Sequence, residues 1–211
     1  MILKSDRLAE LLRAGQDPEA GDPFVITPTP DLTALRASGS AAIDLRLGTW
    51  FTNLKQARTP YLPVGKSTAG SQLTKVNYVP FDRDYILHPQ SFVLAVTLEW
   101  LRIPKNLAAY VVGKSSWGRA GLIIATATGV HPGFKGCLTL ELSNVGEIPI
   151  AVQPGIAICQ LFVHHLDALD PDTVDKSGFA GSRRPLFKRV ELDDYARKLS
   201  GGSTGPSPFK S

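Results

Sequence analysis

The strongest constraint on the fold is a series of short apolar segments separated by turns that contain proline or glycine. The segments are rich in β-branched and aromatic residues, and they are Ile43–Leu47, Phe92–Leu98, Leu138–Leu142 and Ile156–Val163. The turn sequences between them are His88-Pro89, His131-Pro132-Gly133 and Gln153-Pro154-Gly155. This pattern predicts a mainly β fold, of the sandwich, jelly-roll or barrel type, because those architectures join many short strands by tight turns.

Helix is predicted only near the two ends of the chain. Residues 5–15 carry leucines at helical spacing, with Ser5 or Asp6 as the expected N-cap and a glycine as the expected stop. Pro18–Pro30 is predicted as an extended loop. A second short helix fits Leu192–Leu199, ahead of a flexible Gly- and Ser-rich end.

Length and composition fit a soluble globular protein with one domain of ordinary size or two very small ones, and we expect a single domain over residues 1–211. Hydrophobic residues make up 43% of the chain and charged residues 20%, which excludes global disorder. No apolar run approaches the roughly 18 residues of a membrane span, and the charged N-terminus does not resemble a signal peptide. Cys137 and Cys159 are too few for a disulfide framework and are expected to be buried strand residues. We therefore expect a cytoplasmic protein without a membrane partner.

Positive charge is concentrated near the C-terminus. The net charge is +4, and the segment 176–211 alone holds eight basic and three acidic residues. Such a tail suits nucleic acid, an acidic membrane or the phosphates of a small ligand, and a merely solvated tail explains it as well. Nucleic acid is disfavoured because aromatic and basic residues do not alternate as they do in stacking platforms.

Several families of catalytic site are excluded by their missing motifs. The chain has no P-loop, no strand-borne GxGxxG, no GxSxG and no HxE…PCxxC zinc deaminase signature. His164 and His165 are adjacent, so on a strand they point to opposite faces and cannot chelate one metal ion together. A zinc-dependent hydrolase is therefore disfavoured.

Two features between residues 113 and 144 can carry chemistry. Gly113–Arg119 combines two cations, two hydroxyls and two glycines, which suits phosphate oxygens, although a basic surface turn explains the composition equally well. Strand alternation places Glu141 on one face with Thr139 and Ser143, and the leucines on the other. Glu141 is then either a solvent-facing residue of a half-exposed sheet or a pocket carboxylate that acts as general base and acid.

The number, order and spacing of the motifs resemble the trimeric dCTP deaminases, within the dUTPase-like fold. The matching segments are Ser5–Arg7, Ser40–Gly48, Leu87–Pro89, Phe92–Leu94, Thr97–Glu99, Gly113–Leu122, Thr126–Ala127, Pro132–Gly136, Leu138–Asn144, Gln153–Gly155 and Gln160–Leu161. Two details favour a deaminase over a dUTPase. The Lys114-Ser115-Ser116 run with Arg119 follows the deaminase motif, and Glu141 stands where dUTPases have an apolar residue.

The resemblance implies a dUTPase-like distorted β-barrel or jelly roll with a short N-terminal helix and a flexible C-terminal tail. It implies deamination of dCTP to dUTP and ammonia without zinc, by a homotrimer whose sites lie between subunits. Glu141 would be the general base and then the acid, while Ser115 and Arg119 would hold the attacking water. Mg²⁺ would be bound by the triphosphate of the substrate. The implied nucleotide-binding positions are Lys114, Ser116, Thr126, Ala127, His131, Gln160 and Lys198.

Two departures from the family pattern keep alternatives open. His131 stands where the family generally has an aspartate that contacts the sugar 3′-hydroxyl. The tail 176–211, which would close over the site, keeps Lys198 and a Gly-Pro pair but lacks the family's tyrosine and glutamine. The alternatives are a bifunctional enzyme that releases dUMP and pyrophosphate, and an inactive regulatory protein that binds dCTP-, dUTP- or dTTP-type nucleotides.

Overall fold

A computed structural model of the chain describes residues 1–55, 73–167 and 181–185, together with Phe187 and Tyr195. The described helices are α1 (Ser5–Ala14), α2 (Leu32–Ala37) and α3 (Ser115–Arg119). The described strands are β1 (Val25–Thr27), β2 (Ile43–Arg46), β3 (Trp50–Leu54), β4 (Thr74–Tyr78), β5 (Tyr85–Leu87), β6 (Phe92–Arg102), β7 (Leu107–Gly113), β8 (Leu122–Ile124), β9 (Gly129–Val130), β10 (Lys135–Asn144), β11 (Ile150–Val152) and β12 (Ala157–His165). The predicted mainly β class is confirmed.

Two antiparallel sheets carry most of the strands. The larger sheet has the order β4-β3-β6-β10-β8, with β1 also paired to β6, and the smaller has the order β2-β12-β7-β9. A two-stranded ribbon of β5 and β11 accompanies them. We call the first the large sheet and the second the small sheet.

The inward faces of both sheets meet in one hydrophobic core. Leu140 and Leu142 of β10 belong to the same buried cluster as Val111 of β7 and Leu161 of β12. Because side chains alternate along a strand, the residues between these positions point away from the core. Glu141 therefore faces outward from the large sheet, and Asp44 and its neighbours on the small sheet face outward from that sheet.

The N-terminal helix is confirmed, but its predicted cap is wrong. α1 buries Leu8 and Leu12. Its N-cap residue is Lys4, whose side chain makes no capping hydrogen bond. Ser5 is instead buried inside the first turn, where its hydroxyl donates to the carbonyl of Arg36 at 3.4 Å. Tertiary packing against α2 thus outweighs the local capping preference of serine.

The predicted loop Pro18–Pro30 is also partly wrong, because β1 lies inside it and pairs with the end of β6. α2, which was not predicted, begins directly after the loop. The Asp31 carboxylate accepts from the N–H groups of Thr33 and Ala34, at 2.9 and 3.0 Å. This is ordinary N-capping, so the sequence did contain a start signal for α2. The expected helix Leu192–Leu199 lies outside the described residues, apart from Tyr195.

The two cysteines are buried strand residues, as predicted. Cys159 lies on β12 in the core and Cys137 lies on β10. Burial raises the pKa of Cys159 to about 12 and that of Cys137 to about 11. Both are therefore protonated thiols at neutral pH, and neither has the thiolate character that reactivity requires.

A buried carboxylate joins the two sheets. Glu99 on β6 is 2% exposed, and its Oε2 accepts from the backbone N–H of Arg46 on β2 at 2.8 Å. Its Oε1 lies 3.4 Å from the Arg46 guanidinium. Burial raises the pKa of Glu99, and the contacts with Arg46 offset part of that rise. The sequence pattern gave no signal for this contact.

We expect Glu99→Ala to lower the free energy of unfolding by about 2 kcal/mol, because it leaves the Arg46 N–H without an acceptor. Glu99→Gln keeps an acceptor and should cost less. Because the folded-state pKa is raised, the stabilisation of Glu99 is complete at low pH and is lost as pH rises through that pKa. Urea unfolding at several pH values would therefore show wild type losing stability relative to Glu99→Gln as pH rises. An unchanged difference would contradict the linkage.

Candidate active site

A row of three polar side chains crosses the outer face of the small sheet. Asp44 on β2 is the cross-strand partner of Gln160 on β12, and Gln160 is the partner of Val112 on β7. Lys114 follows β7 directly. The Lys114 ammonium lies 2.5 Å from one oxygen of Asp44, and the Gln160 amide donates to the other at 3.0 Å. The structure therefore brings two predicted phosphate-binding residues, Lys114 and Gln160, onto one carboxylate.

Helix α3 presents the predicted hydroxyl and guanidinium groups to solvent. Ser115, Ser116 and Arg119 are exposed. Trp117 points the other way, packs against the core and donates from its Nε1 to the carbonyl of Ala157 at 3.0 Å. One apolar anchor thus fixes this short helix and leaves its polar side chains free to meet a ligand. The segment is a short surface helix, Ser115–Arg119, with its basic and hydroxyl side chains exposed.

Glu141 is half-buried near the middle of β10, between buried leucines, as alternation predicted. Its peptide unit is held by the segment that follows β8. The Ala125 N–H donates to the Glu141 carbonyl at 2.8 Å, and the Glu141 N–H donates to the Thr126 hydroxyl at 3.0 Å. On the other side Glu141 pairs with Leu94 of β6. The backbone beneath the carboxylate is therefore fixed from both neighbouring segments.

The Thr126 side chain makes a contact that the sequence did not predict. The resemblance implied that the backbone around Thr126 and Ala127 contacts the base. In the structure the Thr126 hydroxyl completes the hydrogen bonding of Glu141, and Ala127 is exposed beyond it. The local sequence around Thr126 gave no indication of this contact, because Glu141 lies fifteen residues further along the chain.

His131 lies just after β9, in the turn His131-Pro132-Gly133, and is exposed. Its carbonyl accepts from the Phe134 N–H at 3.2 Å, and Gly133 adopts a φ of 80°. Because that φ favours glycine, Gly133 defines the shape of the turn, and the turn fixes the backbone position of His131. Lys198, the remaining predicted position, lies outside the described residues.

A strap of residues 181–185 crosses the outer face of the large sheet. The Cys137 N–H donates to the Ser182 carbonyl at 2.9 Å, and the Thr52 hydroxyl donates to the Pro185 carbonyl at 3.5 Å. Thr52 pairs with Leu94, which in turn pairs with Glu141. The strap thus ends within the same cross-strand row as Glu141.

Arg184 of this strap lies over the Trp50 ring, 4.2 Å from its centroid. The sequence showed Arg184 only as part of a basic tail, so its aromatic partner was not predicted. A cation–π contact of this kind anchors the strap to β3.

Two negative findings apply to the described residues alone. They contain no group of three or more His, Cys, Asp or Glu side chains arranged to hold a metal ion. Their helices are too short or too polar for any of them to span a membrane.

Comparison with known proteins places this arrangement in a family. The family model described as dCTP deaminase-like matches residues 7–166. The chain belongs to the dCTP deaminase-like family. A relative from Methanobrevibacter smithii, named "dCTP deaminase, dUMP-forming", is 36% identical over 202 residues, which cover 93% of this chain and 99% of the relative. A relative from Halorubrum lacusprofundi, named "dCTP deaminase", is 40% identical over 163 residues, covering 76% and 73%.

Solved structures support the fold. The 2′-deoxycytidine 5′-triphosphate deaminase of Agrobacterium tumefaciens superposes with a TM-score of 0.51 at 20% identity, over 78% of this chain and 48% of that chain. The predicted fold class is thereby confirmed. That deaminase thus shares the mainly β framework on which Glu141 and the Lys114 row lie here.

Asp44 is the functional candidate that sequence reasoning missed. Alternation within Ile43–Leu47 was enough to place Asp44 outward, yet nothing local identified its partners. Those partners are 70 and 116 residues away along the chain. Only the register of β2 against β12 brings them together.

Proposed function

We propose that this chain catalyses the hydrolytic deamination of dCTP to dUTP and ammonia. The observation that carries the proposal is the half-buried Glu141 carboxylate, which stands on the outer face of β10 on a peptide unit held from both sides. The identity of 36–40% with relatives named dCTP deaminase supports this substrate. Because dCTP is a metabolite of the cytoplasm, we propose that the enzyme works there.

In this mechanism Glu141 takes a proton from a water molecule, which attacks C4 of the cytosine ring. The C4–N bond of the tetrahedral intermediate then breaks, and the proton held by Glu141 leaves with the amine as ammonia. The remaining hydroxyl proton passes to N3, which leaves the C4 carbonyl of uracil. Ser115 and Arg119 hold the water and stabilise the charge that develops on the intermediate. Glu141 thus serves first as base and then as acid.

The nucleotide would be held by side chains around α3 and by the tail. Lys114, Ser116 and Gln160 bind phosphate or support its ligands, and Lys198 reaches the triphosphate as the tail 176–211 closes. The backbone at Thr126 and Ala127 contacts the base. These assignments rest on the family motif and on the exposed positions of Ser116 and Ala127.

Mg²⁺ would accompany the triphosphate. The described residues provide Lys114, Ser116 and Gln160 for the phosphates and no cluster of three or more carboxylates or histidines that could hold a metal ion. This donor set suits an ion bound mainly by phosphate oxygens and water. Bound there, Mg²⁺ would neutralise the charge of the triphosphate, while Lys114 would orient the phosphate oxygens.

We propose a homotrimer of single-domain subunits, residues 1–211, with the active site between protomers. Two observations support it. The Lys114 row and Glu141 face outward from different sheets, which fits a site completed by a neighbouring copy. The outer face of the small sheet also carries Tyr110, Val112 and Phe162 in adjacent cross-strand pairs, and Tyr110 and Val112 are 48% and 47% exposed. An apolar stripe of this kind suits burial against another subunit.

The histidine at position 131 affects whether we expect dUTP or dUMP as the product. A histidine can hydrogen-bond a sugar hydroxyl, but it is a different general base from the aspartate of the family motif. We therefore propose dUTP as the released product, although the Methanobrevibacter relative is named dUMP-forming.

One reaction tests the proposal. Purified protein is incubated with dCTP and Mg²⁺, and ammonia, dUTP, dUMP and pyrophosphate are measured together. We expect ammonia and dUTP in equal amounts. Pyrophosphate that appears in step with ammonia would show the bifunctional reaction instead. Tight dCTP binding without any product would show a regulatory protein, and neither binding nor turnover would overturn the proposed substrate.

A further inference from the structure

The Asp44 carboxylate holds two side chains that come from two other segments of the small sheet. One oxygen contacts the Lys114 ammonium at 2.5 Å, and the other accepts from the Gln160 amide at 3.0 Å. Each oxygen therefore has its own partner. The carboxylate fixes the distance between a cation and an amide donor, both of which the proposed function assigns to the phosphates.

Sheet geometry makes this arrangement rigid. Asp44 and Gln160 are direct cross-strand partners, and Gln160 pairs in turn with Val112, two residues before Lys114. The backbone of Lys114 is fixed as well, because its N–H donates to the Ile158 carbonyl at 3.2 Å. The flexible part of the row is thus the lysine side chain, and Asp44 is what orients it.

Stability does not account for this ion pair. The Asp44 side chain is 44% exposed and that of Lys114 is 27% exposed. Exposed pairs contribute little to folding, since water screens the attraction and the lysine loses rotamer freedom. The ammonium has three donors, so two remain for another acceptor while Asp44 keeps one.

We propose that Asp44 is a positioning residue for nucleotide binding: it orients Lys114 and Gln160 as a pre-formed pair of phosphate ligands. The inference rests on the proposed function. Pre-organisation lowers the cost of binding, because a flexible lysine need not be ordered when the nucleotide arrives. In the proposed function the contacts of Asp44 are with Lys114 and Gln160 and not with the base or its C4 atom, so its effect falls on binding and not on the chemical step.

The matched variants are Asp44→Ala, which removes both contacts, and Asp44→Asn, which keeps an acceptor of the same shape. We expect Asp44→Ala to raise the KM for dCTP about tenfold with kcat nearly unchanged, and Asp44→Asn to raise it less. Asp22→Ala is the control, because it removes another exposed ion pair, the one with Arg102 at 3.2 Å. It should leave the KM unchanged.

A double-mutant cycle separates positioning from a general structural effect. In a Lys114→Met background, Asp44→Ala should add much less to the KM than it adds in wild type, because the residue to be oriented is gone. Circular dichroism checks that each variant is folded. The dissociation constant for dCTP, measured by calorimetry in a Glu141→Gln background, provides a readout without turnover and should show the same pattern.

The outcomes are distinct. If wild type deaminates dCTP and Asp44→Ala leaves KM unchanged, or lowers it, the positioning role is wrong and the function stands. Equal effects of Asp44→Ala with and without Lys114 also reject the role. If wild type neither binds nor deaminates dCTP, the proposed function and this inference fall together.

Discussion

Replacing Glu141 by glutamine should lower kcat for dCTP deamination by about 10³-fold, the range expected when a general acid–base group is lost. Glutamine has nearly the same shape but cannot accept the proton of the attacking water. The hydrogen bonds beneath residue 141 come from its backbone, so the substitution leaves them in place. We therefore expect a folded oligomer that still binds dCTP, measured by size-exclusion chromatography and calorimetry.

Glu147→Gln is the matched control, since Glu147 is an exposed glutamate just beyond the end of β10. It should retain wild-type activity. Full turnover by Glu141→Gln would remove Glu141 from the mechanism, and with it the main support for deamination. Loss of the oligomer would instead show that Glu141 has a structural role that the hydrogen bonds do not reveal.

Mixing two inactive variants should restore activity if the site is shared between protomers. Glu141→Gln lacks the base and Arg119→Ala lacks the guanidinium of α3. In a cyclic oligomer, each site would take Glu141 from one copy and Arg119 from the next. A site is therefore intact wherever an Arg119→Ala chain supplies Glu141 and the neighbouring Glu141→Gln chain supplies Arg119. An equimolar random mixture should therefore show about a quarter of wild-type activity.

The mixed oligomers can be made by co-expression, with different affinity tags on the two variants. A mixture of Arg119→Ala with Ser115→Ala is the control, because both defects lie on the same side of the proposed interface and no intact site forms. If both groups instead belong to one protomer, every chain carries one defect and no mixture recovers. That result would contradict the shared site.

The sequence predicted those features that depend on local pattern. The alternation of Leu138–Leu142 placed Glu141 outward, and the spacing of apolar segments identified the mainly β class. The motif from Lys114 to Arg119 marked the segment that becomes α3, although its helical form was not predicted. Each of these depends on residues within about ten positions, where strand and turn preferences act directly.

Features that depend on long-range register escaped prediction. The partners of Asp44, Glu99 and Thr126 are set by which strands become neighbours, and no local property encodes that choice. The wrong cap at Ser5 has a similar origin, because packing against residues near Arg36 buries the hydroxyl that was expected to cap the helix. The loop prediction failed where β1 pairs with β6, since three residues are too few to show a period.

The two hydrogen bonds beneath Glu141 have a consequence for the timing of site assembly. Ala125 and Thr126 can engage residue 141 only when β8 lies along β10, so the backbone position of the carboxylate is settled when that strand pair forms. The conformational entropy of the backbone at Glu141 is therefore lost during folding, before a nucleotide binds. In each catalytic cycle, placing the carboxylate requires only rotation about the side-chain bonds of Glu141. This motion is fast compared with the turnover of ordinary enzymes.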